Sequence, residues 1–188
     1  MSVKYIQGKN IYLRPYETDS DKEILYKATF NEEVQLFTGT TRPFSKRQID
    51  NFIDKILEGD ESRVDFLIVS QVDDEVVGEV VLNEIHNRNA NIRIFIFDSK
   101  NFNKGYGTEA LQLMLDFGFG MLQLHRIELG VYNHNNRGIH VYEKLGFKKE
   151  GVLRDYLFYK HKYYDLIMMS MLEEEYRELY VDNKVLGQ

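Results

Sequence analysis

Apolar residues recur along the chain at two spacings, one suited to short strands and one to amphipathic helices. Residues 10–14, Asn-Ile-Tyr-Leu-Arg, predict a first strand, stopped by Pro15 because proline cannot donate to a sheet ladder. Asp19 or Ser20 can cap a helix running to about Phe30. Ser45-Lys-Arg-Gln48 has the form of a capping box, and Ile49, Phe52, Ile53, Ile56 and Leu57 then mark one helical face. Gly59-Asp-Glu-Ser62 breaks that helix. Residues 66–69 and 75–82 predict a hairpin, with Asp73 and Asp74 near its turn. A polar stretch over 86–89 leads into residues 92–97, whose β-branched and aromatic residues predict a buried strand. Residues 108–122 predict a helix with Ala110, Leu111, Met114, Gly118 and Met121 on its inner face. A strand over 126–131 and a helix over 135–145 follow, the helix ended by Gly146 as a left-handed cap. Two runs, 151–159 and 163–172, surround the polar Lys160-His-Lys162 and predict a hairpin or adjacent strands. The stretch 173–188 is predicted to be a charged tail, helical at first and then frayed.

This order of elements predicts an α/β (α+β) fold with a mixed, mostly antiparallel sheet flanked by helices. At 188 residues the chain can bury one sizeable core and is short for two, so one domain is expected over 1–188. Its core would span about 9–172 and its tail 173–188. There is no cysteine, which excludes disulfides, thiolate metal sites and a cysteine nucleophile. A cytoplasmic location is expected. Residues 1–7 have no apolar signal region and no later run could span a bilayer, so no membrane partner is expected. The net charge of −6 argues against nucleic-acid binding and is mildly permissive for a cationic substrate.

Candidate chemistry concentrates in two stretches. The first is Asn101-Phe-Asn-Lys-Gly-Tyr-Gly-Thr-Glu-Ala110, between a predicted strand and a predicted helix. Gly105 and Gly107 leave the backbone bare, and the amides that open a helix favour an anion. Lys104 adds a positive charge beside them. Two readings follow: a phosphate or pyrophosphate cradle, or a tight turn between a strand and its packing helix. The second stretch runs from Asn135 to Phe147. At about 100° per residue, Asn135, Ile139 and Tyr142 share one helical face. An amide and a phenol on one stripe suit a ligand lying along the helix. The competing reading makes Asn135 a cap and Tyr142 a core aromatic.

Weaker candidates remain. Glu84 ends a strongly apolar strand, where partial desolvation could raise its pKa and make it a base, although a solvated strand end is the commoner case. The histidines show no metal-ligand spacing, and no metal is expected. Tyr156, Phe158, Tyr159, Tyr163 and Tyr164 could line a pocket or a subunit interface, with core packing the favoured use.

Together the two stretches resemble the GNAT family of N-acetyltransferases, within it the ribosomal-protein-type and spermidine-type branch. The family pattern Gln/Arg-x-x-Gly-x-Gly/Ala falls on Phe102-Asn-Lys-Gly-Tyr-Gly107. The later pattern Asn-x-x-Ala-Ile-x-x-Tyr-x-x-x-Gly-Phe falls on Asn135 to Phe147. Two departures stand out. Phe102 replaces a polar residue, and Gly138 replaces alanine, which should loosen the helix by up to about 1 kcal/mol. The resemblance reaches from the first strand to Met169.

It implies an acetyl-CoA-dependent transfer to an amine, by direct attack on the thioester. In the family the strand before the glycine turn splays from the next one and pantetheine pairs in the gap. That assigns Phe95, Ile96 and Phe97 to pantetheine, and Asn103, Lys104, Gly105, Tyr106, Gly107 and Thr108 to the pyrophosphate. Asn135, Tyr142 and Lys144 complete the cofactor contacts. Tyr142 falls at the family's acid position, and Glu84 is the best base by similarity to spermidine-type sequences. A homo-oligomer, dimer or larger, is expected, acting on a small-molecule amine or a protein N-terminus. A binding module without turnover would keep the glycine turn but need not keep Tyr142. A Rossmann-type nucleotide domain would carry its glycine motif at the start of the chain, not after several strands. Residues 30–48, with Glu32, Glu33 and Arg42, are expected to wall the acceptor site without choosing the acceptor.

Overall fold

In the computed structural model, residues 3–182 are described. The chain runs β1 (Ile6–Gln7), β2 (Ile11–Arg14), α1 (Asp19–Ala28), α2 (Glu32–Thr38), α3 (Lys46–Glu58), β3 (Val64–Ser70), β4 (Val76–His86), β5 (Asn89–Ile96), α4 (Tyr106–Asp116), β6 (Arg126–Tyr132), α5 (Asn136–Leu145), β7 (Lys148–Tyr159), β8 (Lys162–Leu172) and α6 (Glu173–Tyr176). Strands hydrogen-bond in the order β1-β2-β3-β4-β5-β6-β8-β7, with β5 and β6 parallel over Asn89–Asn91. This is the mixed, mostly antiparallel sheet that the sequence predicts. Two compact units are present, Met1–Asn83 with Arg93–Met114, and Glu84–Ile92 with Leu115–Gln188.

In the first unit, β2 buries all four of its residues, and Tyr12 and Leu13 register against Val69 and Ile68 of β3. On β4, Gly78 has no room for a side chain, since a Cβ there would lie 2.5 Å from the Phe95 carbonyl oxygen of β5. The predicted cap of α3 forms, whereas α1 is capped one residue earlier than expected, by Thr18, with Asp19 and Ser20 in its first turn. Thr18 and Asp21 make a capping box for α1, and Ser45 and Gln48 make one for α3. Ile49 and Ile53 of α3 join Tyr12, Tyr16, Leu25, Leu67 and Phe97 in one apolar core. Full burial of a residue such as Ile53 contributes about 2–3 kcal/mol. Phe52 and Leu57, expected on the same face, are exposed, so the buried stripe is narrower than the spacing suggests. Helix α2 is not predicted because only Val34 is buried along it; its signals are the Asn31 cap and the left-handed Gly39.

In the second unit, Ile127, Leu129 and Val131 alternate inward along β6, which pairs antiparallel with β8. The β7–β8 hairpin forms as predicted, closed by Lys160 and His161 at φ 46° and 64°, the left-handed pair that a two-residue turn needs. Asn87 and Arg88, at φ 48° and 62°, make a second such turn, so residues 86–89 join two strands rather than forming a loop. Past Asp116 the backbone widens into a π-helical turn over Phe117–Met121, which carries Gly118 and Gly120 and leaves Met121 exposed, not inward. The predicted tail is packed where it is described. Tyr176 is buried, stacks on Phe119 at 4.8 Å and donates its hydroxyl to Asp116 at 2.7 Å. The predicted fraying of 183–188 lies outside the described residues. Core packing is corrected for Tyr156 and Phe158 of β7, the last strand of the sheet, whose residues are mostly uncovered, and for Tyr163, which registers against Phe158 at the exposed start of β8.

Candidate functional site

The glycine-turn stretch lies in the first unit. Phe95 and Ile96 end β5; Phe97 follows, buried, its N–H donating to the Val77 carbonyl at 2.9 Å. One 3-10 turn later, Asn103 (φ 60°) and Gly105 (φ 82°) swing the chain into α4, which opens at Tyr106, two residues earlier than predicted. A Cβ built on Gly105 meets nothing within 4 Å, so the turn borders open space. The amides of Tyr106, Gly107 and Thr108 belong to the first turn of this eleven-residue helix and have no intrahelical acceptor. They sit at the positive end of its dipole. Exposed Lys104 donates to Asn101 Oδ1 at 2.9 Å, which holds its ammonium beside the turn.

Gly107 separates the two readings of this turn. Its φ is not left-handed, and an added Cβ would make ordinary contacts, 3.8 Å to Ile94 Cδ1 and 4.0 Å to Ile96 Cγ1. Neither backbone nor packing demands glycine there. A ligand lying on the helix N-terminus would. The residues present therefore fit an anionic group such as a pyrophosphate.

The Asn135–Phe147 stretch lies in the second unit. Asn135 is the N-cap of α5, its Oδ1 accepting from Gly138 N–H at 2.9 Å. An alanine Cβ at 138 would lie 2.7 Å from Asn135 Nδ2, so the unusual glycine leaves room for that cap. Tyr142 is half-buried with its ring edge-on to Phe147 at 5.9 Å. Among the described residues its hydroxyl has no hydrogen-bond partner, and burial pushes the phenol up to about 12. It therefore keeps its proton at neutral pH, as an acid must. Ile139 is half-buried, Lys144 is exposed on the last turn, and Gly146 closes the helix at φ 100°.

Of the other candidates, Glu84 stands exposed near the end of β4, at φ 54°. Glu32 and Arg42 are exposed and Glu33 is half-buried, the two glutamates on α2. Among the described residues no group of three or more His, Asp or Glu side chains is placed to hold a metal. Sequence reasoning passed over Glu79. On β4 it registers against Leu67 of β3 and accepts a hydrogen bond from the Tyr16 hydroxyl. Burial pushes its carboxyl up to about 7, against the Tyr16 hydrogen bond; nearby Asp65 adds to the rise, and Arg93 and Arg63 oppose it. The signal was present, since Glu79 is the one charged residue within the apolar run 76–82.

Comparison with known proteins gives the family. The family described as "Acetyltransferase (GNAT) domain" matches residues 10–148. An uncharacterized N-acetyltransferase, p20, of Bacillus licheniformis is 33% identical over 180 residues, covering 93% of this chain and 99% of that protein. The crystal structure of spermidine N-acetyltransferase from Vibrio cholerae in complex with CoA and spermine superposes with a TM-score of 0.83 at 26% identity, over 90% of this chain and 99% of that one. A dodecameric structure of the Vibrio cholerae enzyme in an intermediate state gives 0.78 at 25% identity, over 92% and 99%. With the family pattern matched over most of its length, a glycine turn that opens α4 and a protonated phenol on α5, the chain belongs to the GNAT acetyltransferases and is an N-acetyltransferase.

Proposed function

We propose that the protein transfers an acetyl group from acetyl-CoA directly to a primary amine, with a polyamine such as spermidine as acceptor. The observation that carries the cofactor half is Gly107, a helical glycine that the fold itself does not need. The amides of residues 103–108 take the pyrophosphate, with Lys104 beside them. Phe95, Ile96 and Phe97 present their backbone to pantetheine, and Asn135 and Lys144 complete the contacts. When bound, acetyl-CoA supplies the acetyl group as a thioester. Tyr142 holds the proton that the departing sulfur needs, which favours an enzyme over a binding module. The whole chain acts as one acetyltransferase domain in the cytoplasm.

The acceptor half rests on the net charge of −6 and on the likeness to a spermidine N-acetyltransferase solved with CoA and spermine. Self-association belongs to the same reading. Val152, Leu153, Tyr156, Phe158 and Tyr163 of the β7–β8 hairpin are exposed apolar side chains, and a related Vibrio enzyme is dodecameric. A screen of spermidine, other small amines and a peptide with a free N-terminus, read by released CoA thiol, tests the acceptor. Turnover of the peptide with spermidine silent would replace the polyamine by a protein N-terminus. Melting shifts with acetyl-CoA and with NAD test the cofactor. A shift with NAD alone would refute the reading.

A further inference from the structure

Glu79 lies in the middle of β4, flanked along the strand by Val77, Val80, Val81 and Leu82, all buried. Its cross-strand partner is Leu67, so its side chain shares the sheet face that carries Leu67, Tyr16 and Phe97. It also lies close to the segment assigned to pantetheine. Two residues back along β4, the Val77 carbonyl accepts from Phe97 N–H, and Gly78 approaches the Phe95 carbonyl too closely to bear a side chain.

No cation neutralises Glu79 by direct contact among the described residues. Arg63 is committed to Asp65 of β3, with Nε at 2.7 Å and a second nitrogen at 2.5 Å. Arg93 of β5 is exposed and acts on Glu79 only through its field. The hydrogen bond Glu79 receives comes from Tyr16, whose own phenol is pushed well above the ordinary range by burial, by Glu79 and, less, by Asp65 and Asp21 of α1. Tyr16 therefore stays protonated and remains a donor. A carboxylate held in an apolar strand without a cation is costly unless something else supplies the charge.

We propose that Glu79 binds the ammonium of the incoming amine and takes its proton, the role that the family resemblance assigns to Glu84. The proposal rests on the amine-transfer reading above. In the step, the ammonium loses one proton to Glu79, which releases it to solvent. The free amine forms the C–N bond at the acetyl carbonyl carbon as the C–S bond breaks. Nitrogen then loses its second proton to solvent; Tyr142 gives its proton to the CoA sulfur and regains one from solvent, so one proton is released overall. A carboxyl titrating near neutrality is well suited to this, being ionised often enough to accept and basic enough to pull. Tyr16 is a positioning residue: its hydrogen bond favours the ionised carboxylate.

The test is the pH profile of kcat/KM from about pH 5.5 to 9, with spermidine, n-butylamine and an N-terminal peptide as acceptors, because this ratio reports the free enzyme's base. Wild type should climb through an inflection at about 7. Glu79→Gln should abolish that inflection and lower the plateau by on the order of 10²-fold, with acetyl-CoA affinity within about twofold of wild type. Tyr16→Phe should move the inflection to higher pH. A Glu79→Gln enzyme that keeps both inflection and rate overturns the assignment, as does one that alters only melting temperature. Wild type that binds acetyl-CoA but acetylates none of the amines overturns the transfer reading itself, a result the Glu79→Gln comparison cannot produce.

Discussion

Substituting Gly107 by alanine should push stability and cofactor affinity in opposite directions. Glycine within a helix is about 0.8–1.0 kcal/mol less favourable than alanine, less so in a first turn. The added Cβ meets Ile94 and Ile96 at 3.8 and 4.0 Å, ordinary contact distances, so no strain offsets the gain. A stabilisation of about 0.5–1 kcal/mol follows, and for a chain of this size Tm should rise by about 1–4 °C. The same methyl occupies the surface over which the pyrophosphate would approach, so acetyl-CoA affinity should fall at least tenfold, about 1.4 kcal/mol. Gly107→Val should lower affinity further. Gly105→Ala is the internal control: at φ 82° a side chain costs about 1–2 kcal/mol, although open space surrounds it. That variant should melt lower. Calorimetric titration with acetyl-CoA and thermal melts on the same preparations measure both effects. A Gly107→Ala protein with raised Tm and unchanged acetyl-CoA affinity would show that no ligand lies against residue 107, and the cradle would have to be abandoned.

Tyr142→Phe should lower kcat by on the order of 10²-fold with little change in acetyl-CoA affinity; lost stability with kcat intact would make Tyr142 a core aromatic only. Its phenol is raised to about 12 in the folded state against about 10 unfolded, so its share of stability is present below pH ~10 and lost as pH rises through about 12. Alkaline melts of the variant should be flatter over that window. Asp21 accepts from Arg14 at 2.7 and 2.9 Å with both side chains almost wholly buried, and Asp21→Asn should cost about 3–5 kcal/mol by stranding the guanidinium. Burial pushes the Asp21 carboxyl up, but the Arg14 and backbone N–H hydrogen bonds outweigh it and hold it below its ordinary value. Its contribution is therefore full above about pH 4 and lost as pH falls through the folded value, so acid melts of Asp21→Asn should change less with pH. Spermidine should lose apparent affinity as salt rises, since steering by a net charge of −6 is screened; KM independent of ionic strength would remove the electrostatic part of the acceptor argument.

Elements whose signals are local were legible in the chain. The Ser45–Gln48 capping box, the Asn135 cap with Gly146 ten residues past the helix start, and the Lys160-His161 turn each lie within a few residues of the structure they produce. The glycine turn between a β-branched strand and an apolar-faced helix was legible for the same reason. That Asn135 and Tyr142 share one face of α5 followed from spacing, because seven residues is about two turns, whereas an acid role for Tyr142 comes only from the family resemblance.

Burial was not legible, because it depends on what lies across from a residue and not on its neighbours in sequence. Glu79 and Glu84 lie five residues apart on the same strand, β4, yet packing desolvates Glu79 and a tyrosine 63 positions away hydrogen-bonds it, while Glu84 stands in solvent. Tyr156 and Phe158 have the composition of a core and lie exposed because the strand order leaves β7 at the end of the sheet. Tyr176, in a stretch read as a charged tail, is buried because Phe119 and Asp116, some sixty residues earlier, give its ring a face and its hydroxyl a partner. Sequence determined which segments coil or extend and where they stop, through caps and turns that act over a few residues. The tertiary structure alone decided which carboxylate loses its water, since desolvation is imposed by atoms far away in the chain.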